Sequence, residues 1–240
     1  MRWIKYIAVI TFIMGVGTFA GCGKTNQNSP FGRKNKGVGT LAGCGKKAVD
    51  KIGFGTLENQ TYRNEFFGMS VKLPHDWHAL DDETRKKMMQ VSKKMIAGQD
   101  KNLQAALDAG ELTTVTLFTV QKHPLGAPVP FNPSLACVAE KVGHLPGIKK
   151  GSDYLYHMKK LMKMSQLKYV FTKDIYSKKI GGINFDVQDA EINIGTLKVK
   201  QKYYAAIMRG YALSFVISST TKEEEESLKR ILASVGFHKS

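Results

Sequence analysis

The sequence predicts an α+β domain, an antiparallel β-sheet with helices on both faces, preceded by an export signal and a flexible linker. Three observations carry this reading. The C-terminal third alternates β-rich runs with glycine turns at Gly181-Gly182, Gly195 and Arg209-Gly210, and turns this short join antiparallel neighbours in a meander. In Tyr211–Ser218 one alternating set is Tyr211, Leu213, Phe215 and Ile217 and the other is Ala212, Ser214, Val216 and Ser218; with both sets largely apolar or small, both faces need cover. Segments with apolar residues at helical spacing lie on either side of the meander and can supply that cover.

At the start of the chain, Arg2 and Lys5 form a cationic region, Ile7–Met14 is an uncharged apolar run, and Ala20-Gly21 leads into Cys22. A cationic start, a short apolar stretch and small residues before a cut make a secretory signal. The run is too short to span a hydrocarbon core about 30 Å thick. Phe19-Ala20-Gly21-Cys22 resembles the lipobox of bacterial lipoproteins, Leu-Ala-Gly-Cys, with an aromatic in the first place. Residues 1–21 are therefore expected to be a lipoprotein signal peptide and Cys22 the acylated first residue of the mature chain. Gly23 after the cysteine, rather than aspartate, points to the outer membrane of a host that has one. GVGTFAGCGK returns at residues 37–46 as GVGTLAGCGK, but the polar residues before Cys44 cannot serve as a signal's apolar region. Both copies fit G-x-G-x-x-A, yet neither has the strand before it and the helix after it that a dinucleotide site needs. Gly23-Lys24-Thr25 lacks the first glycine of a phosphate loop.

Residues 22–53 read as the lipidated cysteine and a Gly/Lys-rich linker, too poor in apolar surface to order itself. The net charge of the whole chain is +16; loss of the signal removes Arg2 and Lys5 and leaves +14. Arg33, Lys34, Lys36, Lys46, Lys47 and Lys51 crowd the linker, where each charge near an anionic membrane is worth about 1 kcal/mol. A polyanion is a second partner for such a chain, whereas nucleic acid is not expected for an exported lipoprotein. Cys22, Cys44 and Cys137 offer no disulfide framework and no C-x₂-C zinc spacing.

Residues 54–240 read as one domain. Tyr62–Phe66 and Met69–Leu73 are short strands about Phe67-Gly68, and Trp77 is expected to pack over the sheet edge. Asp81 caps a helix over Glu83–Ala97 with the stripe Met88, Val91, Met95, stopped by Gly98; Asn102–Ala109 is a second helix. Leu112–Val120 is β-branched, with Val115 and Leu117 facing one way and Thr114, Thr116 and Phe118 the other. Gln121–Pro133 holds four prolines and is a loop. Leu135, Val138 and Val142 mark a short helix containing Cys137, and Ser152 caps a longer one bearing Leu155, Met158, Leu161 and Met162. The strands Lys168–Ser177, Ile183–Ile194, Leu197–Met208 and Tyr211–Ser218 follow. Thr221 and Glu224 form a capping box for a last helix that buries Leu228, Ile231, Leu232 and Val235.

FFGMSVKLPHDWHAL, KKIGGINFDV, and YYAAIMRGYALSFVISST before a closing helix ending ILASVGF resemble the PsbP-like α/β/α sandwich, shared by bacterial lipoproteins of the DcrB and LpqN kind. The resemblance covers residues 60–237 and implies a small envelope or extrinsic protein that binds or stabilises something larger. Its motifs are structural and bring no catalytic residues with them.

Chemistry has few candidates. His75, Asp76 and His78 offer three ligands for a metal-dependent enzyme, but a closed zinc site needs a fourth donor. His123, His144 and His157 are scattered, and no Ser or Cys stands in a nucleophile elbow. Met158, Met162 and Met164 with Met88, Met89 and Met95 suit either core or an adaptable groove. The function expected from the sequence is that of a membrane-anchored, non-catalytic binding or structural module of the cell envelope without a cofactor, its alternatives being a polyanion- or anionic-lipid-binding surface and the metal enzyme.

Overall fold

The computed structural model describes residues 52–238; the signal segment, Cys22, Cys44 and the linker cations lie outside them. Chain order is β1 (Thr56–Glu58), β2 (Thr61–Asn64), β3 (Met69–Lys72), β4 (His78–Ala79), α1 (Asp82–Ala97), α2 (Lys101–Glu111), β5 (Thr114–Gln121) and β6 (Ser134–Lys141). Then come α3 (Gly151–Met164), β7 (Tyr169–Phe171), β8 (Tyr176–Ile180), β9 (Ile183–Ile194), β10 (Leu197–Met208), β11 (Tyr211–Ser219), α4 (Lys222–Ala233) and β12 (Gly236–Phe237). An eight-stranded sheet runs β4-β5-β6-β11-β10-β9-β7, with β8 also on β9, and a four-stranded sheet runs β1-β2-β3-β12. Every pairing is antiparallel. Among the described residues no helix is long and apolar enough to cross a membrane.

The alternation in β11 sorts its side chains as its sequence requires. Tyr211, Leu213, Phe215 and Ile217 join one core with the small sheet and α4, while Ala212 and Val216 join a second core with α1, α2 and α3. The large sheet thus has helices on both faces, and on one of them the four-stranded sheet shares the cover. Local signals act where expected. Asp81 accepts from Thr84 N at 2.7 Å to open α1. Thr221 Oγ1 accepts from Glu224 N at 3.2 Å while Glu224 Oε2 accepts from Thr221 N at 3.1 Å to open α4.

Four expectations change. The segment about Cys137 is not a helix but β6, paired with β5 and β11 and buried along almost its whole length. A strand buried on both faces loses its polar alternation, and a short apolar run is then read as easily as helix. In β5 the register shifts between Thr116 and Phe118, so Leu117 and Phe118 both enter the core that holds Val115; the extra residue of a bulge reverses the facing of everything after it. The run Lys168–Ser177 divides into β7 and the start of β8, both edged onto β9. Ser152 is not a cap: the cap position is Lys150 and α3 opens two residues earlier, Ser152 N donates to Asp186 Oδ2 at 2.6 Å, and Asp153 Oδ2 accepts from Lys149 N and Lys150 N. At the near edge of the domain, Ile52 is buried and its carbonyl accepts from Asn64 Nδ2.

Gly151 sets the distance between α3 and the sheet. A Cβ there would lie 2.0 Å from the Ala205 carbonyl oxygen and 3.1 Å from Asp186 Cβ, so any side chain pushes the helix off β10. Gly151→Ala is expected to cost about 3 kcal/mol, the upper end of overpacking because backbone cannot swing aside. Urea unfolding checks this; a loss below about 0.5 kcal/mol would show that α3 is not seated at this depth.

Candidate anion-binding cleft

Period-2 geometry puts Tyr176 and Lys178 of β8 and Lys200, Lys202 and Tyr204 of β10 on the face of the sheet that carries α4. The facing stripe of α4 is Lys222, Glu225, Glu226 and Lys229, at i, i+3, i+4 and i+7. Between them, with Lys173 at the rim, lies a cleft of about 480 Å³. Its floor is aromatic and its walls are ionic.

The charges fall into two groups. Asp189 of β9 lies behind the cleft wall, with 8% of its side chain exposed, and binds Lys202 Nζ at 2.6 Å and the Tyr176 hydroxyl at 3.0 Å; Lys173 Nζ stands at 3.7 Å. Glu225 takes Lys229 Nζ at 2.8 Å and Lys202 Nζ at 3.6 Å, and Glu226 takes Lys229 at 2.8 Å. Burial pushes the Glu225 carboxyl up, but the Lys229 bond and the Lys202 charge outweigh it and hold it below the usual carboxylate range. Burial, then the charge of Asp189, pushes the Tyr176 hydroxyl up to about 12, so at neutral pH it is a donor. Lys202 and Lys229 are thereby neutralised in place. Lys178, Lys200 and Lys222 make no ion pair among the described residues, and they leave the cleft with a surplus of positive charge. Three ammonium groups without a carboxylate partner, converging on one cleft, are groups that receive an anion.

The residues singled out in the sequence are placed elsewhere. Cys22, Arg33, Lys34, Lys36, Lys46, Lys47 and Lys51 lie outside the described residues. His75, Asp76 and His78 are exposed on a turn closed by Trp77 N to Pro74 O at 3.1 Å, with Trp77 buried between them. Asp76 is ion-paired to Lys122, and no group of three metal-ligating side chains forms among the described residues. Cys137 is buried in the core, where burial pushes its thiol well up. The methionines do not share a groove: Met158 and Met162 lie in the core under α3, Met88 packs with Leu80, Met95 packs against the Phe131 cluster, and Met164 is exposed.

Sequence reading missed the cleft because its lysines come from β8, β10, α4 and the segment before β8, and no motif links them. The available signal was the same-parity series Lys198, Lys200, Lys202 ahead of Tyr204, lysines on one side of a strand whose next member is core.

No protein-family model matches the chain, and no curated protein matches it. Among solved structures it is similar to cyanobacterial PsbP (CyanoP) from Synechocystis sp., at 12% identity over 78% of this chain and 96% of that one, with a TM-score of 0.45. It is similar to LpqN of Mycobacterium tuberculosis, described as involved in cell envelope biogenesis, at 11% identity over 70% and 82% of the two chains, with a TM-score of 0.36. A Pseudomonas aeruginosa protein of unknown function is similar at 14% identity over 53% and 83%, with a TM-score of 0.38.

Proposed function

We propose that this chain is a non-catalytic binding module of the cell envelope, tethered to a membrane through acylated Cys22, and that the cleft between α4 and β8–β10 takes a phosphate- or carboxylate-bearing polyanion. The observation that carries the reading is the set of three unpaired ammonium groups, Lys178, Lys200 and Lys222, around a floor of Tyr176 and Tyr204. The lining described for the cleft is cationic and aromatic, with the Tyr176 hydroxyl already bound to Asp189, which favours holding an anion over transforming one. The +14 charge of the mature chain draws such ligands in from a distance.

The test is titration of residues 22–240, carrying Cys22→Ser, with long-chain inorganic polyphosphate at several salt concentrations. Binding is expected to weaken linearly in log–log form as salt rises, because each counterion released on binding gains less entropy, at about 0.7 per phosphate engaged. Lys178→Ser/Lys200→Ser/Lys222→Ser is expected to lower affinity at least 30-fold at low salt and to flatten the slope by about 2. Equal affinity and slope in the triple variant would assign the binding to the linker cations and remove the cleft from the reading.

A further inference from the structure

The large sheet carries a second basic surface, on the face opposite the cleft, and its composition differs. α3 buries Tyr154, Leu155, Met158, Leu161 and Met162 against the sheet, which leaves Tyr156, Lys160, Lys163 and Met164 as its outward stripe, at i, i+4, i+7 and i+8. Two large apolar side chains stand in that stripe, Tyr156 at 53% and Met164 at 48% exposure, about 12 Å apart along the helix axis. Lysines lie between and beside them. Lys160 Nζ sits 4.4 Å from the centre of the Tyr156 ring, and Lys159 Nζ sits 4.8 Å from that of Phe171.

Over residues 149–168 there are six lysines and one carboxylate, Asp153. That carboxylate is turned to the helix start, where it accepts from the backbone N–H groups of Lys149 and Lys150. None of the six lysines makes an ion pair among the described residues. A merely solvated helix face has no need of an exposed Tyr and Met among its cations. A soluble polyanion would satisfy the lysines but has nothing to cover Met164, and a convex helix gives it no concavity to lie in. An anionic bilayer satisfies both at once, with lysines at the phosphate level, the tyrosine ring at the headgroup boundary and the methionine tip just below.

We infer that the outward face of α3 is a contact surface for an anionic lipid bilayer, independent of acylation and distinct from the cleft. Seated in this way, the domain lies on the membrane through α3 and presents the cleft on the far side of the sheet.

The experiment uses unacylated residues 22–240 with Cys22→Ser, sedimented with vesicles of phosphatidylcholine containing 30 mol% phosphatidylglycerol and with vesicles of phosphatidylcholine alone. Binding is expected to the first and not to the second, and to be lost at 0.5 M NaCl as screening shortens the reach of the charges. Lys159→Ser/Lys160→Ser/Lys163→Ser is expected to lower the partition coefficient about 100-fold. A charge-matched control, Arg63→Ser/Lys72→Ser/Arg230→Ser on the opposite layer, is expected to lower it less than about fivefold. The Tyr156→Trp variant is expected to shift its emission to the blue on anionic vesicles, since that side chain enters the interface. Equal losses in the two triple variants would place the attraction in diffuse charge or in the linker, and an unshifted emission would keep α3 in water; either result overturns the inference.

Discussion

Raised to about pH 11, the folded domain is expected to unfold cooperatively, because five buried tyrosine hydroxyls cannot ionise in place. Burial is the leading cause that pushes the hydroxyls of Tyr62, Tyr154, Tyr169, Tyr203 and Tyr204 above their ordinary value. Four of these residues are at most 5% exposed, and Tyr169, whose ring is partly exposed, keeps its hydroxyl atom buried. Tyr62 donates to the Phe54 carbonyl at 2.8 Å and Tyr154 to Glu140 Oε2 at 2.9 Å, bonds that a phenolate could not make. In the unfolded chain each hydroxyl ionises near pH 10. Between that pH and the raised folded values the unfolded state holds fewer protons, so stability falls as pH rises; below pH 10 nothing is lost. At pH 11 each group costs about 1.4 kcal/mol and the five together about 7 kcal/mol, against a typical domain stability of 5–15 kcal/mol. Far-ultraviolet circular dichroism and tyrosinate absorbance at 295 nm, followed together, should show one steep transition near pH 11 that reverses at pH 8. A smooth tyrosinate curve centred near pH 10, with the dichroism intact to pH 12, would mean that these rings are not buried as described.

The same residues show where sequence is informative. β9, β10 and β11 were readable because glycine turns punctuate them and because β11 alternates large side chains on one face with smaller ones on the other, each set entering its own core. The caps at Asp81 and Thr221 were readable because a capping bond spans three residues and asks for a short side chain with an acceptor oxygen. β6 was not, since a strand enclosed by β5, β11 and both layers has no solvent face to impose period 2. The alternative reading of His75, Asp76 and His78 as ligands supposed an extended loop that brings side chains together; the Pro74–Trp77 turn buries the tryptophan and leaves the three polar groups exposed. The cleft was least legible, because Lys178, Lys200 and Lys222 are made neighbours only by the β8–β9–β10 register and the rotation of α4. The outward stripe of α3 is local, but its meaning depends on knowing which side of the helix the sheet covers.

Phe215→Ala should be the costliest single core substitution among those that test the placement of β6, at about 3–5 kcal/mol. Phe215 is fully buried at the centre of β11, with its ring centroid 5.5 Å from that of Phe185. Its cross-strand partners are Cys137 of β6 on one side and Tyr204 of β10 on the other. Removing the ring opens a void that β-strands held on both edges cannot close, so the transfer and cavity costs both apply. Phe215→Leu keeps most of the volume and should cost less than half as much. Urea unfolding measures both, and the denaturant slope should be unchanged if the folded state keeps its compactness. The register adds a second readout. In a background with Cys22→Ser and Cys44→Ser, the Cys137 thiol is the only one left to react. Burial makes it inert in the intact domain, where reaction with a disulfide reagent must wait for opening of the sheet. With the neighbouring ring gone and the domain less stable, that opening becomes more frequent, and labelling should accelerate at least tenfold. Were Cys137 on a peripheral helix, as its local sequence pattern suggests, its labelling would be fast from the start and indifferent to residue 215. The two measurements together therefore decide whether the segment that sequence reads as helix is the strand that joins the two halves of the sheet.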